Sequence, residues 1–134
     1  MGGLILALNQ VGMLSRSESP DPTDAPPPAE VGGSWSAEVN YPWGVSMPES
    51  FDFRVEGDRV IGTATYLGYP RAVESGSVTA DRITFSTRAE EILGDERRAY
   101  ENHYDGLVSP RGIQFVLVDS RGNGPIEFTA RKNP

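Results

Sequence analysis

The feature that most constrains this chain is a motif written three times. An apolar β-former precedes a short polar turn, and another follows it at once. It reads Val55-Glu56-Gly57-Asp58-Arg59-Val60-Ile61, then Val78-Thr79-Ala80-Asp81-Arg82-Ile83, then Val108-Ser109-Pro110-Arg111-Gly112-Ile113. A two-residue polar turn between apolar β-formers is the local signature of a β-hairpin. Three hairpins on one plan predict antiparallel sheet and exclude a helical or parallel α/β fold.

The text around the turns agrees. From residue 31 onwards apolar and polar residues alternate with a period of two, as in Trp35, Ala37, Val39 and Tyr41 against Ser36, Glu38 and Asn40. Such alternation marks strands with one buried face and one wet face. Eight strands are predicted, at 34–41, 50–56, 59–66, 71–79, 82–89, 97–108, 112–118 and 126–131. No helical stripe appears in the domain, although 89–99 could hold a single turn. The 15 Gly and 11 Pro suit many turns better than long helices.

The predicted connections alternate in length. Those at Gly57-Asp58, Ala80-Asp81 and Pro110-Arg111 are tight, while 42–49, 67–70, 90–96 and 119–125 are longer. In an up-and-down meander these two sets fall at opposite ends. Eight strands can close on themselves and remove their exposed edges. The expected architecture is therefore an all-β, eight-stranded antiparallel up-and-down β-barrel with an extended N-terminal segment. One end is pinched, and the other is a mouth where a small ligand could enter.

Two further segments precede the barrel domain of residues 31–134. Residues 1–14 are apolar but shorter than the roughly 20 residues a spanning helix needs. They read as the remnant of a signal or anchor, as a packing arm, or as a tail. Residues 15–30 carry Pro20, Pro22 and Pro26-Pro27-Pro28 among Glu18, Asp21, Asp24 and Glu30, the composition of an extended acidic linker. An apolar start, a stiff linker and a β domain together suggest an exported or membrane-tethered protein. The partner expected through residues 1–14 is a protein or a second copy of the chain.

Charge and composition narrow the function. A net charge of −7 opposes nucleic acid, whose backbone demands a positive surface. With no cysteine, thiol chemistry and cysteine-ligated metals are out. No cofactor motif, phosphate-cradling glycine loop or serine elbow is present. The candidate site is a set of aromatic and polar side chains. Tyr41, Trp43, Met47, Tyr66 and Tyr69 fall in or beside the mouth connections and could supply contact area, or fold back as a lid on the core. Tyr100, Asn102 and Tyr104 share one face of their strand and would orient a ligand from inside, or form a structural network. A register shifted by one would turn Glu101, His103 and Asp105 inwards instead, where they could serve acid–base or metal chemistry. The favoured function is non-enzymatic binding of a small, partly apolar molecule. The alternatives are an interaction module of an envelope or surface assembly and, third, a barrel-cavity enzyme.

Gly33-Ser34-Trp35 resembles the Gly-x-Trp that opens lipocalin and avidin-type barrels. With the closing Phe128-Thr129-Ala130-Arg131, the domain is similar to the small lipocalin-like barrels of bacterial exported proteins. The resemblance implies that Trp35 plugs the pinched end, with Arg131 as the position able to lie over it, both in structural roles. It does not extend to the lipocalin Thr-Asp-x-Tyr loop or to a biotin site, so it implies a fold and a binding role without naming a ligand.

Overall fold

A computed structural model describes residues 29–134. Residues 1–28, and with them the apolar segment and most of the acidic linker, lie outside the described residues. Nine strands follow in chain order: β1 Gly33–Asn40, β2 Ser46–Glu56, β3 Arg59–Tyr66, β4 Tyr69–Ala72, β5 Glu74–Thr79, β6 Arg82–Leu93, β7 Glu96–Ser109, β8 Gly112–Asp119 and β9 Ile126–Lys132. Among the described residues no helix is long and apolar enough to cross a membrane.

All pairings are antiparallel, and the sheet closes. β9 meets β1 through Arg131↔Ser36 and Lys132↔Trp35, while β2 meets β3 from Phe51↔Ala64 to Glu56↔Arg59. The ring is eight-stranded, with β4 as one extra strand. The expected strand 71–79 is divided: β3 pairs with β4 near the mouth, and its Arg59 and Val60 pair with β5 at the other end. The division falls at Val73, beside a register shift between Glu74 and Ser77 and a positive φ of 53° at Ser75.

The three tight turns share one end, as the alternation of turn lengths predicts. The mouth differs from expectation. The stretch 90–96 continues the ladder, with Leu93 opposite Glu96, so β6 and β7 form a long hairpin turned at Gly94-Asp95. The stretch 67–70 is a two-residue turn in which Leu67 and Gly68 both have positive φ. β2 starts at Ser46, through Pro48. Proline reads as a strand breaker because it lacks an N–H. Here Ser50 N–H points towards β3, donating to Thr65 Oγ1 at 2.8 Å. Pro48 has the same parity and lies beyond the β2–β3 ladder, which starts at Phe51, so no ladder bond is lost.

Inward positions fill the barrel. Phe51, Phe53, Phe85, Tyr104, Phe115 and Phe128 meet across its middle, with centroid separations from 4.4 Å for Phe85–Tyr104 to 6.5 Å for Tyr104–Phe128. Rings at these distances are in contact, and the mid-barrel is a packed core. At the pinched end Trp35 is buried, and its Nε1–H donates to the Val31 carbonyl at 2.9 Å. The cation over its ring is Lys132, whose Nζ lies 5.7 Å from the centroid. The expected Arg131 is displaced by parity. Ile126, Phe128 and Ala130 face inwards, so 132 follows them and 131 faces out.

Gly106 is an inward position of β7 without a side chain. A Cβ there would lie 2.6 Å from Ile113 Cγ2 and 2.7 Å from the Phe115 ring. The glycine lets Phe115 lie against the β7 backbone. Gly106→Ala is expected to destabilise the fold by about 1–3 kcal/mol through overpacking, read as a lower denaturation midpoint at unchanged m-value. A variant as stable as the wild type would show that the rings have slack.

Candidate functional site

The polar groups of the interior collect at the mouth, above the aromatic layer. Inward parity on β7 brings Tyr100, Asn102 and Tyr104 inside, all buried. Glu101, His103 and Asp105 therefore face solvent: His103 Nε2 lies 3.4 Å from Glu101 Oε1, and Asp105 pairs with Arg82 at 3.5 Å. The inward face of β7 is thus aromatic and amide, while its charged alternation is the wet face.

Glu49 carries one side of the mouth. It is 1% exposed, and among the described residues no cation lies within 4.0 Å of it. Four donors converge on its carboxylate: Tyr41 O–H, Thr65 O–H at 2.6 Å, and the N–H groups of Leu67 at 2.8 Å and Gly68 at 3.0 Å. A buried carboxylate is tolerated only when its lone pairs are filled in this way. The knot ties β1, β2 and the β3–β4 turn together. Burial first, then the bond to Glu49, push the Tyr41 phenol well above its ordinary range, so it stays a protonated donor. Tyr41 also stacks on Trp43 at 5.1 Å and meets Tyr66 edge-on at 5.6 Å. Burial, then the neighbouring Tyr100, raise the Tyr66 phenol too.

Arg121 caps the other side. Its guanidinium lies 3.7 Å from the Tyr100 ring centroid, a distance at which the cation is held by the ring face. Nη2 and Nε donate to Asp119 Oδ2 at 2.8 and 3.2 Å, and Nη1 donates to Glu91 on β6 at 2.9 Å. Asp119 is organised by its own loop. Its Oδ1 accepts from Arg121 N at 2.9 Å and Asn123 N at 3.0 Å, and Oδ2 accepts from Asn123 Nδ2 at 3.0 Å. Burial alone would raise the Asp119 carboxyl, but the bonds from Arg121 and Asn123 outweigh it and hold the carboxyl below its usual range.

Between cap and core sits Asn102, fully buried and level with Thr87 and Asp119 on the flanking strands. Its Nδ2 makes one long contact to Thr87 Oγ1 at 3.4 Å, and among the described residues its Oδ1 has no partner. An unpaired buried carbonyl oxygen costs about 1–3 kcal/mol. Tyr104, stacked on Phe85 at 4.4 Å, forms the floor beneath.

The predicted site residues are thus partly assembled. Tyr41, Trp43 and Tyr66 form one contiguous aromatic wall, and Tyr100 and Asn102 line the interior at the same end. Met47 is half-buried against the core, whereas Tyr69 is 67% exposed and stands on the outer rim. Sequence reasoning missed Glu49, Asp119 and Arg121, which it placed in loops. A signal was present: Glu49 extends the inward series Phe51 and Phe53, and Asp119 extends Ile113, Phe115 and Leu117.

Comparison with protein-family models, curated proteins and solved structures gives no match, so the site is read from its own geometry. Chemically, the Glu49 and Asp119 carboxylates are occupied by donors, and the Tyr41 and Tyr66 phenols are held protonated.

Two outcomes follow from these contacts. Glu49→Ala would leave the donors of Tyr41, Thr65, Leu67 and Gly68 without their acceptor and should cost about 3 kcal/mol in chemical denaturation. Because the Asp119 carboxyl is depressed on folding, its contribution is fully present above the unfolded value of about 4 and lost as pH falls through the folded value. Wild-type stability should therefore drop more steeply than that of Asp119→Asn below about pH 4. Parallel acid-titration curves would remove Asp119 as an acid-sensitive contact.

Proposed function

We propose that this chain is a non-enzymatic, lipocalin-like β-barrel that binds a small, partly apolar molecule at its mouth. The observation that carries the reading is Asn102 Oδ1, a buried acceptor without a donor, set between a packed aromatic floor and a side-chain cap. A ligand N–H or O–H would supply that donor, while Tyr41, Trp43 and Tyr66 would offer ring surface to its apolar body. The filled mid-barrel restricts the ligand to the upper third, so it is small. Entry requires Arg121 to swing off Tyr100. Tyr104 supports the floor, and Met47 and Tyr69 would act at the approach. An exported or tethered setting belongs to the same proposal and rests on the composition of residues 1–30.

A second reading, an interaction module, is favoured by one observation. Trp43, Val45, Tyr69, Ile92 and Leu93 are all exposed at the mouth. An apolar rim of this kind can seat a protein partner. The N-terminal arm that reading also invoked lies outside the described residues.

The binding proposal is tested with N-phenyl-1-naphthylamine, an apolar probe with one N–H donor, alongside native mass spectrometry of the purified protein. Saturable quenching that is lost in Trp43→Phe and weakened about tenfold in Asn102→Leu is expected, the loss of one buried hydrogen bond. Binding indifferent to Asn102→Leu, with no co-purified small molecule, would end the proposal. A protein partner captured at the rim and lost in Ile92→Ser/Leu93→Ser would favour the second reading.

A further inference from the structure

We propose a second site at the opposite end of the barrel: an oxyanion-binding groove built on Arg111 and Arg131. A surface groove of about 470 Å³ is lined there by Ser109, Pro110, Arg111, Gln114, Thr129 and Arg131. It lies on the outer wall of β8 and β9 beside a tight turn, so it stands or falls independently of the mouth.

Charge makes the groove unusual for this chain. Acidic residues outnumber basic ones by 19 to 12, and most arginines of the barrel sit against a carboxylate. Arg54 pairs with Glu56, Arg82 with Asp105, Arg88 with Glu74, Arg97 with Glu90, Arg98 with Glu96, and Arg121 with Asp119 and Glu91. Among the described residues no carboxylate lies within 4.0 Å of Arg111 or Arg131, and none lines the groove. Glu127, the next outward carboxylate on β9, lines an adjoining groove that shares Gln114 and Thr129 with this one. Four residues of strand, about 13 Å, separate it from Arg131.

The backbone explains why two like charges share one concave face. Outward parity on β9 presents Thr129 and Arg131 side by side. Across from them stands Gly112, with no side chain and a φ of +132°; a Cβ there would lie 2.3 Å from the Ala130 carbonyl oxygen. Arg131 is therefore free to fold over the turn, where its Nη1 donates to the Arg111 carbonyl at 3.2 Å. Ser109 Oγ fixes that turn, accepting from Arg111 N at 3.2 Å and donating to the Gly112 carbonyl at 3.3 Å. One Arg131 donor is thus committed to orientation. Its remaining N–H groups, the Arg111 guanidinium, the Gln114 amide and the Thr129 hydroxyl are available to a ligand.

Planar guanidinium forks match carboxylate and phosphate oxygens in pairs, whereas a halide can take only one point contact. Bringing an oxyanion here also relieves repulsion between the two arginines. The ligand is an oxyanion, carboxylate or phosphate, on a small polar molecule, because the groove exceeds the volume of the anionic group alone.

The test is an amide-resolved NMR titration of the full chain with sodium phosphate and with sodium acetate, each against sodium chloride at matched ionic strength. Saturable shifts confined to residues 109–114 and 129–131 are expected. Saturation by phosphate alone assigns a phosphate ligand, and saturation by acetate alone assigns a carboxylate. Arg111→Gln and Arg131→Gln should each weaken the effect about tenfold, the scale of a lost charge-assisted bond. Arg59→Gln, at a different tight turn, should leave it unchanged. Both groove arginines are exposed, so their variants should keep the wild-type spectrum elsewhere. Shifts that grow linearly, that chloride reproduces, or that survive Arg131→Gln would reduce the groove to ordinary charge screening and overturn the proposal.

Discussion

Closure of the sheet is the constraint on which everything else depends. A run of antiparallel strands with aromatic residues on one face cannot stay open in water, because it would expose both that face and two unpaired edges. Pairing β9 to β1 removes the edges and forces Phe51, Phe85, Tyr104, Phe115 and Phe128 into one another. The seam is short, with register partners at Arg131↔Ser36 and Lys132↔Trp35 and two further bonds, from Asn133 N–H to the Ser34 carbonyl and from Ser36 Oγ to Asn133 Oδ1. The rings behind the seam, more than its hydrogen bonds, hold the cylinder shut.

With its middle filled by rings, the barrel has two chemically different ends. The pinched end is closed by an apolar plug, Trp35 over Val31, with Lys132 extended across it. The mouth is closed by polar devices, the Glu49 knot and the Arg121 cap. Each solves the same physical problem, how to bury charge at a barrel rim. Glu49 does it with four neutral donors, and Arg121 does it with two carboxylates and an aromatic face. Among the described residues two buried side-chain atoms lack a partner, Arg71 Nε and Asn102 Oδ1, and the latter lies at the mouth with those two devices. That placement is why the ligand site is proposed at the mouth and not in the packed centre.

The outer wall follows a different logic. Most of its arginines sit against a carboxylate on their own or a neighbouring strand, in exposed pairs that each contribute little to stability. The wall beside the Pro110-Arg111 turn breaks this pattern. There a glycine opens the face and a serine fixes the turn. Two guanidinium groups are left beside hydroxyl and amide donors, and on that arrangement the anion site is proposed.

The sequence by itself determined the class of fold, the strand alternation and the end at which the tight turns gather. Those properties are local: a period of two and a polar turn suffice to state them. Strand ends were less legible. Pro48 and the stretch from Glu90 to Glu96 look like loops, yet both continue ladders, because a proline nitrogen that lies beyond the neighbouring ladder, or a charged side chain that faces outwards, removes no bond. The cation over Trp35 was decided by tertiary parity, which sends Arg131 outwards and Lys132 inwards. The Glu49 knot, the Asp119–Arg121 cap and the pairing of Arg111 with Arg131 required the closed barrel. Each joins residues whose proximity is set by strand register and curvature, which no local pattern records.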